Sequence, residues 1–168
     1  KRKMNISLRQ ATVADTPLIS EMAQRIWREH YTPFIGAAQV EYMLEMIYSP
    51  AALCAQMAAG QVYWLPAAAG QVLGYLAVSQ TAPGEYFLHK FYLDNQQRGL
   101  GLGKVILERF LAKYPDLSIL RLNVNRRNYQ SVNFYFRVGF KIDFCLDTNI
   151  GDGYVMDDFQ MILKLNAL

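Results

Sequence analysis

The spacing of apolar residues changes along the chain, and it predicts helices in the first third and mainly strands after it. Ile6–Arg9 alternates apolar with polar side chains, as a half-buried strand does. After the capping residues at 12–15, apolar residues recur every three or four positions, which predicts a helix to about His30. Two further helices are predicted over 40–48 and 50–59. Thr32-Pro33 is predicted to end the first helix, and Gly36 to keep the link that follows it irregular.

Beyond Gly60 the apolar residues alternate, which is typical of strands. Helical spacing returns twice, from Leu102 to the stop at Pro115 and again after Asn128. The two closing strands are predicted to be joined by a loop that contains Gly151 and Gly153. The strands predicted in this part cover 61–66, 72–79, a central strand that ends at Leu93, 119–124, 140–146 and 154–165.

Composition places the chain among globular proteins and excludes several other classes. Apolar residues make up 52% of the 168 residues and charged residues 18%, so we expect a substantial core and one domain over 4–168. A net charge of +3 is too small to indicate nucleic-acid binding. No apolar run approaches the length of a membrane span, so no membrane contact is expected.

The two cysteines carry little information on chemistry. Cys54 and Cys145 lack the spacing of a metal site and have no histidine near them, so no metal is expected. Two reduced thiols and no visible signal peptide favour a cytoplasmic protein. The basic run Lys1–Lys3 before Met4 is interpreted as a leader or an added remnant, and no function is assigned to it.

The stretch 88–111 carries the first motif that indicates a ligand. Its strand ends in the turn residues Asp94-Asn95, and Gly99, Gly101 and Gly103 follow at a spacing of two. Glycine lets backbone amides approach a ligand because it has no Cβ, and the helix that begins here adds unpaired N–H groups. The stretch therefore predicts a phosphate-binding loop, although a flexible turn without a ligand could use the same residues.

Two common phosphate motifs do not fit this loop. A P-loop needs a glycine where the chain has Arg98, and Ser or Thr where it has Val105. The dinucleotide motif GxGxxG needs a third glycine at Lys104 or Ile106. The loop matches instead the pattern Arg-x-x-Gly-x-Gly over 98–103.

This pattern resembles the acetyl-CoA loop of the GNAT N-acetyltransferases, [Arg/Gln]-x-x-Gly-x-[Gly/Ala]. The family has a second motif after a strand, Asn-x-x-Ala-x-x-Phe-Tyr-x-x-x-Gly-Phe, and residues 128–140 repeat it in register with Ser131 as the one departure. Asn128 and Tyr135 are seven residues apart, so they share one stripe of a helix about 10 Å apart along its axis. Without a ligand, Asn128 would be a helix cap and Tyr135 a core aromatic residue.

The resemblance implies a fold, a cofactor and a reaction. The fold is α/β, with a splayed central mixed sheet flanked by helices, and the pantetheine arm of acetyl-CoA enters the splay. An amine attacks the acetyl thioester directly in a ternary complex, a backbone N–H near Leu93 polarises the carbonyl, and Tyr135 matches the general acid that protonates the thiolate. The residues expected to contact the cofactor are Phe91, Leu93, Arg98, Gly99, Gly101, Gly103, Lys104, Asn128 and Ser131.

The acceptor is defined less well by the sequence. Residues 141–160 hold five aspartates against one lysine, which favours a polycationic amine, although a solvated loop would have the same composition. The Tyr-x-Met-Asp-Asp run at 154–158 resembles the closing segment of bacterial polyamine-type members of the family. Candidate acceptor contacts are Trp27 and Tyr31, which could equally be core residues, and also His89 and Asp157; His89, Glu85 or a water chain could supply the base.

Two other functions stay open. A non-catalytic acyl-CoA-binding sensor would signal through a partner, but such a protein needs no phenol beside the sulfur, so Tyr135 favours an enzyme. An acetyltransferase of protein N-termini would need a more open and less acidic cleft. The expected partner is a small-molecule amine, and a homodimer is left open.

Overall fold

The structure, a computed structural model, describes residues 4–165, and Lys1–Lys3 and 166–168 lie outside this range. The helices are α1 (Thr16–His30), α2 (Thr32–Ile35), α3 (Ala37–Tyr48), α4 (Pro50–Ala58), α5 (Leu102–Leu111) and α6 (Tyr129–Arg137). The strands are β1 (Ser7–Gln10), β2 (Val62–Ala68), β3 (Gln71–Val72), β4 (Gly74–Ala82), β5 (Glu85–Leu93), β6 (Ile119–Asn125), β7 (Lys141–Gly151) and β8 (Tyr154–Lys164). Short 3₁₀ turns cover Val13–Asp15 and Asn95–Gln97.

The strands form one mixed sheet in the order β1-β2-β4-β5-β6-β8-β7, with β3 paired to β2. β5 and β6 run parallel, from the pair Glu85 and Ile119 to the pair Leu88 and Leu122. The pairs β1–β2, β2–β4, β6–β8 and β7–β8 are antiparallel. The predicted α/β class with a mixed sheet is confirmed.

The chain divides into two compact units. One consists of the residues up to Val78 together with Lys90–Tyr114, and the other of Ser79–His89 with the residues from Pro115 onwards. β4 and β5 each contribute residues to both units. One domain over 4–168 stays a prediction.

The first unit is built on the apolar face of α1. Thr12 and Asp15 form a capping box before the helix, which satisfies backbone N–H groups that have no partner within it. Met22 and Ile26, which the periodicity predicts to face inward, are buried with Trp27, whereas Leu18 is only half-buried. Further large side chains in this core are Tyr48, Tyr63, Leu65, Tyr75 and Phe110.

The second unit uses the two faces of β6 and β8 differently. Leu120 and Leu122 lie opposite Leu163 and Met161, and these four side chains are buried on one face. On the other face, the last pair is Asn125 and Asp158, which are both buried although they are polar. Buried polar side chains are uncommon, so this pair is a candidate for a functional role.

Two predicted links differ from the structure. Thr32-Pro33 begins the short helix α2 rather than an irregular segment, because proline is tolerated in the first turn of a helix. The closing loop is a tight hairpin: β7 extends to Gly151, and Asp152 and Gly153, with φ of 53° and 76°, make the turn. Within residues 4–165, no helix is long and apolar enough to cross a membrane.

Candidate active site

The glycine loop presents an open helix N-terminus. Gly99 and Gly101 both have φ of 74°, a left-handed conformation that glycine adopts without strain. A Cβ added at either residue would meet nothing within 4 Å, and both residues are exposed, as is Lys104. Gly101 directly precedes α5, and Gly103 lies in its first turn. The loop can therefore receive an anion such as a diphosphate at its backbone amides.

Arg98, the first residue of the loop motif, makes its side-chain contact with α1. Its Nη1 lies 2.7 Å from Nδ1 of His30, at the C-terminal end of that helix. Burial lowers the pKa of Arg98 from its ordinary value, and the nearby Tyr31 and Tyr92 act in the opposite direction. This role of His30 could not be predicted from the sequence, because nothing in the local pattern links residues that lie 68 positions apart.

The end of β5 is positioned by the start of β4. Phe91 and Leu93, both predicted to contact the cofactor, are half-buried. A Cβ at Gly74 would come 2.9 Å from Leu93 Cα and closer still to the Tyr92 carbonyl oxygen, so only glycine fits. The Asp94 amide donates to the Leu73 carbonyl at 2.8 Å beside this contact. Gly74 is not among the predicted site residues, although a glycine inside a strand pattern is a known sign of close backbone approach.

Trp27 and Tyr31, candidates for an acceptor pocket, belong to an aromatic cluster of the first unit. Their ring centroids are 4.4 Å apart in a stacked arrangement, and Tyr92 lies 5.6 Å from Trp27. Trp27 and Tyr31 are both buried, which favours the alternative that they are core residues. Trp27 Nε1 and Tyr75 Oη are buried without a hydrogen-bond partner among the described residues.

Lys90 is a buried cation that sequence analysis did not single out. Its Nζ donates to Tyr63 Oη at 2.6 Å and to Gln56 Oε1 at 2.5 Å, and it lies 5.0 Å from the Tyr63 ring centroid. Burial lowers the pKa of Lys90 to about 7, and burial also raises the pKa of Tyr63. The alternation of β5 does indicate this burial, because Lys90 lies two residues after the buried Leu88 and therefore on the same face of the strand.

In the second unit, α6 holds the residues of the second motif. Asn128 caps the helix, because its side chain accepts a hydrogen bond from the Ser131 amide at 3.3 Å. The predicted capping role is confirmed, and Asn128 is 1% exposed. Ser131 is half-buried and Tyr135 is buried. The centroid of the Tyr135 ring lies 5.3 Å from those of the Phe134 and Phe140 rings. The structure therefore brings these three predicted residues together on one helix.

Asp158 is a buried carboxyl group that the sequence did not distinguish from its neighbours. It is 3% exposed, and no described residue hydrogen-bonds to its Oδ1. Burial raises the pKa of Asp158 to about 6, the charge of Asp157 adds to this rise, and Arg126 opposes it.

The aspartates around Asp158 have cationic partners. Asp157, a candidate acceptor contact, lies 3.4 Å from Arg127 Nη2 and accepts from Asn125 Nδ2 at the same distance. Arg126 Nη2 lies 2.7 Å from Asp147 Oδ1. The charges of Asp147 and Asp157 are thus partly balanced, whereas Asp158 is the buried aspartate whose Oδ1 has no hydrogen-bond partner among the described residues.

The two candidate bases have polar contacts of their own. His89 is exposed, and its Nε2 lies 2.6 Å from Ser79 Oγ. Glu85 pairs with Arg121 at 3.6 Å. Among residues 4–165, no three His, Cys, Asp or Glu side chains are grouped so that they could hold a metal ion.

Comparison with known proteins defines the family. The family model of the acetyltransferase (GNAT) domain matches residues 31–161. The chain is 36% identical over 72 residues to the peptidyl-lysine N-acetyltransferase YjaB of Escherichia coli, a match that covers 43% of the chain and only 44% of that relative. It is 26% identical over 162 residues to the spermidine N(1)-acetyltransferase of Thermoplasma acidophilum, covering 92% of the chain and 97% of the relative.

Solved structures agree with this fold. The paia N-acetyltransferase of Thermoplasma acidophilum in complex with coenzyme A matches with a TM-score of 0.76 at 22% identity, covering 96% of this chain and 100% of that one. The yncA structure of Salmonella typhimurium with acetyl-CoA matches with a TM-score of 0.66 at 18% identity, covering 98% and 96%. The chain belongs to the GNAT family of acetyltransferases.

Proposed function

We propose that the protein transfers the acetyl group of acetyl-CoA to a primary amine of a small polycationic acceptor, with a polyamine such as spermidine as the favoured class. Membership of the GNAT family supports acetyl transfer. The observation that supports this class of acceptor is Asp158, a buried carboxyl group whose Oδ1 accepts no hydrogen bond from any described residue. An aliphatic ammonium group supplies both the positive charge and the N–H donors that this oxygen lacks.

The electrostatics of Asp158 support the same class of acceptor. The raised pKa, about 6, means that the surroundings disfavour the charged carboxylate. A bound cation would offset this cost, because an opposite charge within a few Å favours the ionised form. Asp147 and Asp157, on the paired strands β7 and β8, could receive further amino groups of a polyamine only in competition with Arg126 and Arg127, which pair with them.

The reaction that we propose needs four further groups. The loop amides at 98–104 hold the diphosphate, and the Leu93 N–H polarises the thioester carbonyl. The amine nitrogen forms the new C–N bond as the C–S bond breaks, and the thiolate takes a proton from Tyr135. The proton of the amine leaves to a water chain or to His89, which we rank after water because it is already bonded to Ser79.

Peptide lysine is the second acceptor to be considered, because the relative YjaB is named a peptidyl-lysine N-acetyltransferase. A lysine side chain carries one aliphatic amine, whereas a polyamine carries several, so only the polyamine gains from several carboxylates. The 26% identity to a spermidine acetyltransferase extends over 92% of the chain, which supports the polyamine.

The test is CoA release from acetyl-CoA with a panel of acceptors: spermidine, putrescine, a lysine peptide, and a peptide with a free N-terminus but no lysine. We expect spermidine to give the highest kcat/KM, and its KM to rise with salt, because exposed charges are screened over about 8 Å at physiological ionic strength. Turnover of peptides alone would refute the polyamine and keep the acetyltransferase. Tight acetyl-CoA binding with no turnover of any amine would favour a sensor.

A further inference from the structure

The segment between β5 and α5 is tied to α1 by two side-chain contacts. Arg25 Nη2 lies 3.2 Å from Asp94 Oδ2, and Arg98 Nη1 lies 2.7 Å from His30 Nδ1. The Arg25 side chain is 57% exposed, so its ion pair is screened by solvent and contributes little. Arg98 is half-buried, so its contact with His30 is the stronger constraint on the loop.

The chemistry of this contact defines the state of His30. A guanidinium group has only N–H donors, so Nδ1 of His30 must accept, and it can do so only when it carries no proton. The imidazole ring meets Tyr31 edge-on at 4.9 Å and Phe34 at 5.3 Å, with interplanar angles of 88° and 82°. These two rings restrict the orientation of the imidazole, so its acceptor nitrogen is held toward Arg98.

Protonation of His30 would convert the contact into a repulsion between two cations. The other titratable or charged groups near the guanidinium are Tyr31, Tyr92, Glu29 and Asp94, all of which favour its charge. The guanidinium would then have to move, and the loop 98–103 that follows it would lose its anchor on α1.

We propose that His30 is a positioning residue for the acetyl-CoA loop, holding Arg98 through Nδ1, so that cofactor binding weakens when the imidazole takes up a proton. The inference rests on the assignment of the loop 98–103 to acetyl-CoA. It concerns cofactor affinity rather than the chemical step.

Two substitutions separate the acceptor from the ring. In His30→Asn the amide oxygen replaces Nδ1 with an acceptor that does not titrate, and in His30→Phe the aromatic packing stays but the acceptor is lost. CoA affinity is measured by calorimetry from pH 8 to pH 5.5 for wild type and both variants. The phosphates of CoA titrate in this range, but they do so alike for all three proteins, so the difference between the profiles reports on residue 30.

The wild type is expected to lose affinity on acidification by about tenfold more than His30→Asn, the size of one charged hydrogen bond. His30→Phe is expected to bind CoA more weakly than the wild type at pH 8, and to show no additional loss at low pH. Parallel profiles for the wild type and His30→Asn would overturn the proposal, and so would wild-type affinity in His30→Phe. If the wild type bound no CoA at any pH, the assignment of the loop would fail with it. If His30→Phe did not fold, the comparison of the wild type with His30→Asn would still decide.

Discussion

Gly74 of β4 lies against the backbone of Leu93 at the end of β5, so closely that an added Cβ would come 2.9 Å from Leu93 Cα. Leu93 is the residue whose N–H we propose to polarise the thioester carbonyl. The absence of a side chain at Gly74 therefore sets where that N–H lies. A group that stabilises a transition state must be held in place to a fraction of an ångström, so this contact links packing to catalysis.

Gly74→Ala is expected to reduce both stability and activity. Its Cβ would overlap the Tyr92 carbonyl, and relief requires backbone movement, which typically costs about 1–3 kcal/mol. The free energy of unfolding from urea titration and kcat for acetyl transfer, measured below the melting temperature, test this. Gly70→Ala is the control, because a Cβ there meets nothing within 4 Å, although its φ of 78° adds some strain. Equal kcat for the wild type and Gly74→Ala would show that the contact has no catalytic role.

The loop and helix of each motif could be predicted from the sequence because their signals are local. The capping role of Asn128 follows from residues within three positions of it. The glycines of the loop indicate a backbone that a ligand can approach, because they have no Cβ. The contact of Arg98 with His30 could not be predicted, because it depends on how α1 packs in the folded chain.

The burial of Asp158 could not be predicted for a different reason. Alternation along β8 shows that Asp157 and Asp158 face opposite ways, but not which face is covered. The sequence favours Asp157 as a candidate contact, whereas in the structure the buried carboxyl group is that of its neighbour Asp158. The connection between the closing strands is shorter than predicted, because β7 extends to Gly151, which pairs with Tyr154 in the hairpin.

Gly101→Val is expected to weaken CoA binding by roughly tenfold or more, equivalent to the loss of at least one charged hydrogen bond. The side chain would point into the open space where the diphosphate is proposed to bind, and a β-branched residue opposes the left-handed φ of 74°. Calorimetry with CoA measures the effect. Gly70→Val carries the same backbone strain in a turn far from the motif in sequence and serves as control. Equal CoA affinity in a folded Gly101→Val protein would remove the loop from the cofactor site.

Tyr135→Phe is expected to lower kcat by about a hundredfold or more, because it removes the proposed proton donor. The ring packs against Phe134 and Phe140, so deletion of the hydroxyl alone leaves this packing and CoA affinity nearly unchanged. Tyr129→Phe is a matched control, since Tyr129 lies on the same helix and is 70% exposed. Wild-type kcat in Tyr135→Phe, under conditions where acetyl transfer limits the rate, would assign Tyr135 to the core.

Lys90 predicts an unusual dependence of stability on pH. Its pKa is lowered from 10.5 to about 7 by burial, so between these values the unfolded chain binds more protons than the folded one. Stability should therefore increase with pH across this window, by at most about 1.4 kcal/mol per pH unit. Lys90→Met should flatten this increase and stabilise the protein at pH 7, as measured by urea unfolding from pH 7 to pH 9.5.

The exposed Lys164→Met is the control for this experiment, because its charge is in solvent in both states. The pH dependence of Lys164→Met should follow that of the wild type. If Lys90→Met kept the wild-type slope, the buried amine would not be the group that titrates. Loss of stability at all pH values would show instead that the bonds to Tyr63 and Gln56 outweigh the burial of the charge.

Asp158→Asn is expected to increase the free energy of unfolding and to raise KM for spermidine. The pKa of Asp158 is raised from 3.8 to about 6, so the folded state binds the proton more tightly and stability is lost as the pH rises through this window. At pH 7.5 the charged carboxylate is a cost that asparagine does not carry, which should increase the free energy of unfolding by about 1–2 kcal/mol. The same substitution removes the proposed partner of the ammonium group, so KM for spermidine should rise about tenfold or more.

The two effects of Asp158→Asn have opposite sign, and this is what separates a binding residue from a structural one. Asp143→Asn, at an exposed position of β7, should change neither stability nor KM by a comparable amount. A carboxylate that is destabilising by itself and needed for spermidine is expected where a bound cation offsets the cost of burial. If Asp158→Asn stabilised the protein and left KM unchanged, the buried carboxyl group would have no part in amine binding, and the polyamine would lose the observation that favours it.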